Sequence, residues 1–407
     1  MHSSPSSTPT SAVRDPQNVH GAVQRSVSVD NIHEELTRVW NEVTHDIVER
    51  DGVPPVHTSV LNLVIVARGA AESKLATETL HQLVQQVPSR VIFVRIGEAG
   101  SAFDASISAS CRLLAAGRSA CYEVIEVRTP EDQLRALPSL LAPLELFDVP
   151  SFMWWVGEVD FHADAFRRMA DTAERIIIDS ARFRDTTTAL ERFDTFLQES
   201  GATCTGTDIA WARATSWREL IAQSFDHPNT QPLLRGIKRV EISYDPRAEA
   251  QGLLLAGWLA ARLNWTLRGA TEDGDELVVR AADATGRPVT ITCFRQATSG
   301  VGLRAVRILA RDQYTARISV RRRSEGLSSV SVELAGTPAQ ERVVRDQQPT
   351  LAELVGRELL IHSRDPIFGE ALSFVSAIVR EIRGTSTRDA GTPPPDADAN
   401  AIEGQPT

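Results

Sequence analysis

Apolar and polar residues change period several times along this chain. Ile32, Leu36, Val39, Trp40 and Val43 recur at helical spacing, which predicts a helix capped by Asp30. A Pro-rich exit at residues 53–56 leads to residues 60–67, an almost continuous run of branched apolar side chains, as in a strand covered on both faces. Leu75, Leu80, Leu83 and Val84 then line one side of a helix over about residues 72–86, and residues 90–96 form the next strand. Strand, helix and strand at these lengths imply a right-handed crossover and a parallel pair.

The period switches to two from Phe103 to Leu113, where Phe103, Ala105, Ile107, Ala109, Cys111 and Leu113 alternate with polar residues. Gly117 closes a short loop and residues 119–127 return, so an antiparallel hairpin interrupts the parallel pattern. A helix to about Leu141, a buried strand over 151–156, a helix over 161–172, a strand over 175–179 and a helix over 185–200 follow, up to a boundary near Gly201–Gly206. Beyond it come a helix near 208–225, a strand at 239–244, a helix at 248–263, several short strands between 277 and 334, and helices near 351–361 and 367–382.

The expected fold is an α/β N-terminal domain with a mostly parallel mixed sheet containing an antiparallel hairpin, then an α+β C-terminal domain with an antiparallel sheet. The expected boundaries are a disordered tail at 1–26, a helix and linker at 27–56, the α/β domain at 57–203, the α+β domain at 204–383, and a second tail at 384–407.

Composition narrows the function. With 42% hydrophobic and 24% charged residues, the 407-residue chain reads as globular. Its beginning lacks the charged start and apolar segment of a signal peptide, and the longest apolar stretch, residues 253–261, is far short of the roughly twenty needed to cross a bilayer. A net charge of −10 offers no footprint for nucleic acid. Four cysteines, none in a Cys-x-x-Cys pair, fit a reducing cytoplasm. Arginine supplies nearly all the basic charge, so the run Arg321–Arg323 reads as a solvated strand edge, with a phosphate clamp as the alternative.

Catalytic signatures are missing where they would be expected. The first strand–helix loop, Arg68-Gly69-Ala70-Ala71, has one glycine and matches neither dinucleotide nor P-loop spacing. Gly300-Val-Gly302 reads as a hairpin turn, and Gly117-Arg-Ser119 fails as a nucleophile elbow. No two histidines stand four apart, and Asp179-Ser180 has no histidine nearby in sequence. No catalytic, cofactor-binding or metal-binding residue is therefore expected.

Several motifs in order nonetheless resemble one family. Val60-Leu-Asn-Leu-Val-Ile-Val66, Pro88-Ser-Arg-Val-Ile92, Cys121-Tyr-Glu-Val-Ile-Glu-Val127, Asp148-Val-Pro-Ser-Phe-Met-Trp-Trp155 and Asp179-Ser180 look like an OpcA N-terminal domain. Trp211, Trp217-Arg218, Gly257-Trp-Leu-Ala-Ala-Arg-Leu-Asn-Trp265 and Arg364-Asp365-Pro366 before Ala371-Leu372 look like its C-terminal domain. The resemblance implies a non-catalytic accessory protein that promotes assembly and activity of glucose-6-phosphate dehydrogenase in the oxidative pentose phosphate pathway. An enzyme acting on a sugar phosphate and a scaffold without kinetic effect are the competing readings. Thioredoxin-linked control in photosynthetic members uses cysteines near the C-terminus, whereas none follows Cys293 here, so that control is not carried over.

Candidate partner-binding residues are Asp148, Pro150, Trp154 and Trp155, which bracket one strand, with core packing as the alternative for the tryptophans. Glu123 falls on the face of Cys111 and Ile107, either as part of that surface or paired with an arginine from a neighbouring element. Counting back from the loop places Cys111 opposite Cys121, as a candidate redox pair or as two small thiols that stay reduced.

Overall fold

A computed structural model describes residues 19–27, 31–52, 56–57, 59–84, 86–97, 104–113, 119–201, 204–297, 300–311 and 315–389. The first sheet contains β1 (Val19–Val27), β2 (Val56–His57), β3 (Asn62–Arg68), β4 (Arg90–Ile96), β5 (Asp104–Leu113), β6 (Ser119–Thr129), β7 (Ser151–Val156), β8 (Arg175–Ile178) and β9 (Thr205–Asp208). The second contains β10 (Ile237–Tyr244), β11 (Thr266–Asp273), β12 (Glu276–Ala282), β13 (Pro288–Arg295), β14 (Leu303–Arg311), β15 (Thr315–Ser324), β16 (Gly326–Leu334) and β17 (Gln340–Asp346). The helices are α1 (Ile32–Asp51), α2 (Ala70–Leu83), α3 (Leu137–Leu141), α4 (Asp164–Ala170), α5 (Thr186–Ser200), α6 (Ile209–Arg213), α7 (Thr215–Gln223), α8 (Glu249–Arg262), α9 (Leu351–Glu358) and α10 (Pro366–Asp389).

The first sheet runs β1-β5-β6-β4-β3-β7-β8-β9, with β2 paired to β6. Its β5–β6 hairpin is antiparallel, and β6-β4-β3-β7-β8-β9 are parallel throughout. Leu63, Ile65, Phe93, Phe152 and Trp154 point to a face covered by α2 and by Leu354 and Val355 of α9. Val64, Val66, Ile92, Val94, Met153 and Trp155 point to the other, where α1, α3, α4 and α5 contribute to a core continuous with the second sheet.

Two features differ from expectation. Val19–Val27, all but the last residue of which fall in the segment expected as a tail, pair antiparallel with β5. Their valines stand four apart, so the segment shows no strand alternation, and the free edge of β5 sets the pairing instead. At the other end α10 continues to Asp389, past the expected helix end. Asp30, the loop at 114–118, residues 1–18 and residues 390–407 lie outside the described residues.

The second sheet, ordered β11-β12-β13-β10-β14-β15-β16-β17, is antiparallel except where β13 lies parallel to β10. The helical crossover through α8 restarts the chain in the direction of β10, and two reversals through β11 and β12 leave β13 in that direction.

Residues of the C-terminal motifs meet in space. Asp365 caps α10, accepting from the amides of Ile367 (2.9 Å) and Phe368 (3.1 Å), with Pro366 at the first helical position. Its other oxygen accepts from Trp211 Nε1 at 3.1 Å. The Arg218 guanidinium lies 3.4 Å from the Trp211 ring centroid and donates to Trp211 O and Thr215 Oγ1, rather than to an acid. Gly257 lets α8 touch α10 directly, since a Cβ there would stand 2.3 Å from the backbone oxygen of Ala371. Gly257→Ala is therefore expected to push these helices apart and cost about 1–3 kcal/mol, read as a lowered Tm. An unchanged Tm would mean that the helices separate freely.

Candidate functional site

The carboxyl ends of β3, β4 and β7 are where an open α/β sheet usually takes ligands. Here α2 opens with Glu72 in its first turn. The Glu72 side chain lies across to β7, so close that a Cβ on Gly157 (φ 92°) would sit 2.9 Å from Glu72 Cγ. Glu72 Oε2 also lies 3.8 Å from the corresponding position on Gly69. A carboxylate thus occupies the helix start where a dinucleotide would place its pyrophosphate, and the like charge disfavours that ligand. Among the described residues no group of three or more His, Cys, Asp or Glu side chains could hold a metal, and no helix is long and apolar enough to cross a membrane.

The partner-binding candidates separate into two sets. Trp154 and Trp155 are 1% and 3% exposed and point to opposite faces, so both belong to the core. Trp155 donates from Nε1 to Glu158 O at 3.0 Å and meets Phe166 edge-on at 5.3 Å. Asp148 and Pro150 sit at the amino end of β7, opposite the usual ligand end. Asp148 has φ 64°, left-handed backbone uncommon outside glycine.

Buried polar groups brace that turn. Asn62, fully buried on β3, donates to Leu146 O (3.0 Å) and Ser151 Oγ (3.1 Å) and accepts from Leu146 N (2.8 Å). Arg90 reaches Glu123 with one terminal nitrogen, 3.2 and 3.1 Å from its two oxygens, and with the other donates to Leu144 O at 3.1 Å. Glu123 is thus the buried half of an ion pair holding the same turn, while Asp148 and Pro150 lie on it. The Ser151 hydroxyl donates to Glu145, whose carboxyl burial pushes up from its ordinary value. The turn presents Phe147, which is 91% exposed. Phe147 escaped the sequence reading, although an asparagine inside an apolar strand marks a buried polar brace.

On the hairpin, Cys111 stands opposite Cys121 in register. Cys111 also faces His20 of β1, and Cys121 faces His57 of β2, so the four positions form one row across β1, β5, β6 and β2.

A further cluster gathers past β8 and β9. Arg213 donates to both oxygens of Asp179 at 2.6 and 2.8 Å. Asp208, fully buried, accepts from the amides of Ser180 (3.2 Å) and Ala210 (2.8 Å). Burial, and secondarily the nearby Asp179, push the Asp208 carboxyl up to about 7. Among the described residues no histidine is hydrogen-bonded to the buried Ser180 Oγ.

Comparison with known proteins bears on these features. Residues 80–195 match the family model described as the glucose-6-phosphate dehydrogenase subunit N-terminal domain, and residues 205–372 match that of the subunit's C-terminal domain. A relative from Nostoc punctiforme, provisionally named OxPP cycle protein OpcA, is 33% identical over 43% of this chain and 38% of its own length. One of the same name from Synechocystis is 29% identical over 44% of this chain and 38% of its own. The chain thus matches well under half the length of these curated relatives. Levoglucosan dehydrogenase in complex with NADH and L-sorbose is a distant structural likeness, 12% identical with a TM-score of 0.49 over 82% of this chain and 98% of that one. The two family models follow one another in chain order and together span most of both sheets, so the chain belongs to the OpcA family of glucose-6-phosphate dehydrogenase assembly proteins.

Proposed function

We propose that the protein is a non-catalytic factor that binds glucose-6-phosphate dehydrogenase and promotes its active oligomer in the oxidative pentose phosphate pathway. The observation that carries this reading is the match, in order, to two domains described as parts of a glucose-6-phosphate dehydrogenase subunit. Glu72 at the start of α2 agrees with it, because it stands where a dinucleotide oxidoreductase would hold its cofactor. Activation follows if the factor binds the active oligomer more tightly than the inactive form. In this reading the braced turn with Phe147, Asp148 and Pro150 is the contact surface, and Cys111 and Cys121 are its redox-sensitive element.

The test is dehydrogenase activity against glucose 6-phosphate with and without the factor, alongside sizing of the mixture. The isolated factor is expected to show no turnover, while the mixture shows a higher kcat or lower KM and a larger assembly. Running the assay with reduced and mildly oxidised factor reads out the cysteine pair. Co-migration with unchanged kinetics would reduce the protein to a scaffold, and turnover by the factor alone would make it an enzyme.

A further inference from the structure

The chain is strongly acidic, yet four arginines from three elements converge on one cleft of about 1060 Å³: Arg213 after β9, Arg304 on β14, and Arg322 and Arg323 on β15. The turn Gly300–Gly302 and the residues following β17 form its other walls, and Glu325, exposed in the turn after β15, is the one carboxylate lining it among the described residues. Two motifs taken from the sequence as a bare turn and a solvated arginine edge thus meet at a single concave surface.

Acidic groups engage these arginines unevenly. Asp179 holds Arg213 through both terminal nitrogens, and Glu341 pairs with the exposed Arg323. Asp346 lies 3.6 Å from Arg322, but its oxygens already accept the hydroxyls of Ser216 and Ser328, each at 2.7 Å. Arg304 donates to the backbone oxygen of Gly300, and Asp245 is the acid that feels its charge. The Nε atoms of Arg304 and Arg322 are buried without an acceptor, and the Arg322 side chain is only 10% exposed. Burial pulls the Arg322 guanidinium down from its ordinary value, the nearby Asp346 opposes that shift, and the charge of Arg304 adds to it. Two like cations held close together are costly, and an anion between them relieves the repulsion.

A phosphate group suits this arrangement, since paired guanidiniums bind it in bidentate fashion. Gln251 and Gln348 also line the cleft, Gln348 Nε2 donating to Asp346 at 3.4 Å and leaving its amide oxygen for a hydroxyl group, and the volume exceeds that of a bare anion. We propose that this cleft binds a small phosphomonoester with a hydroxylated body, its phosphate held between Arg304 and Arg322. The inference is independent of the dehydrogenase reading, because it concerns the isolated chain.

The experiment is isothermal titration calorimetry on the full chain with inorganic phosphate, glucose 6-phosphate and glucose, with chloride at matched ionic strength as the background. Glucose 6-phosphate is expected to bind more tightly than inorganic phosphate, and glucose not at all. Arg304→Gln and Arg322→Gln should each weaken binding by about tenfold or more. Arg307→Gln, which removes an exposed charge paired with Glu241 on the sheet, should leave binding unchanged. Ligand-free melting curves check folding, and the half-buried Arg304 supplies the test if Arg322→Gln unfolds. Heats no larger than those of chloride, equal affinity for phosphate and its ester, or full affinity in folded Arg304→Gln would each overturn the proposal. So would a wild-type chain that binds none of these probes while Arg304→Gln abolishes dehydrogenase activation, since the cleft would then grip the partner protein.

Discussion

Arg175→Met is expected to cost roughly 3–5 kcal/mol of stability, the largest loss expected from any ion pair among the described residues. Arg175 lies on β8 and is 1% exposed, and its guanidinium donates to Glu358 at 2.8 Å and to Ser363 O at 3.1 Å. Glu358 ends α9, whose Leu354 and Val355 pack with Phe152, Trp154 and Ile177 on the first sheet. Removing the arginine leaves a carboxylate buried without its cation, and its desolvation cost then exceeds the value of the pair itself. The single variant should therefore unfold at much lower urea, and Arg175→Met/Glu358→Leu should recover most of the loss. A single variant within about 1 kcal/mol of wild type would show that apolar packing alone holds α9.

That tie also marks the limit of what the sequence discloses. The first βαβ unit, the hairpin and the order of β7, α4, β8 and α5 are legible because each carries its own period: apolar runs for β3 and β4, alternation for β5, helical spacing for α5. Nothing local says that α9, some 175 residues after β8, returns to cover the first sheet, because an apolar helix face is compatible with either sheet. β9 is only Thr-Gly-Thr-Asp, too short and polar to read as a strand, and it joins the sheet beside β8 although it follows the boundary expected at 203. At the candidate site, a carboxylate on a core face pointed to a partner, and that partner is Arg90. The exposure of Phe147 was not legible, because an isolated aromatic has no periodicity to reveal which way it faces.

Asp208 makes the stability of the protein fall as pH rises through the range just below neutrality. Its carboxyl is fully buried, one oxygen caps α6 and accepts from Ser180 N, and the other meets no well-formed hydrogen-bond donor among the described residues. Arg213 is committed to Asp179, and among the described residues no cation is bonded to Asp208 itself. The folded value of about 7 lies above the ordinary 3.8, so between the two the native state binds the proton that the unfolded chain releases. The contribution to stability is fully present below the lower value and is lost as pH rises to the upper one. At about 1.4 kcal/mol per unit the whole shift sets a ceiling near 4 kcal/mol, and coupling to Asp179 makes about 2 kcal/mol the working expectation. Asp208→Asn keeps the oxygen that caps α6 while removing the charge. It should match wild type in acid, exceed it by about 2 kcal/mol above neutrality, and flatten the slope between. Urea midpoints from mildly acidic to mildly alkaline buffer decide the matter, and an unchanged slope in the variant would assign the pH dependence to other groups.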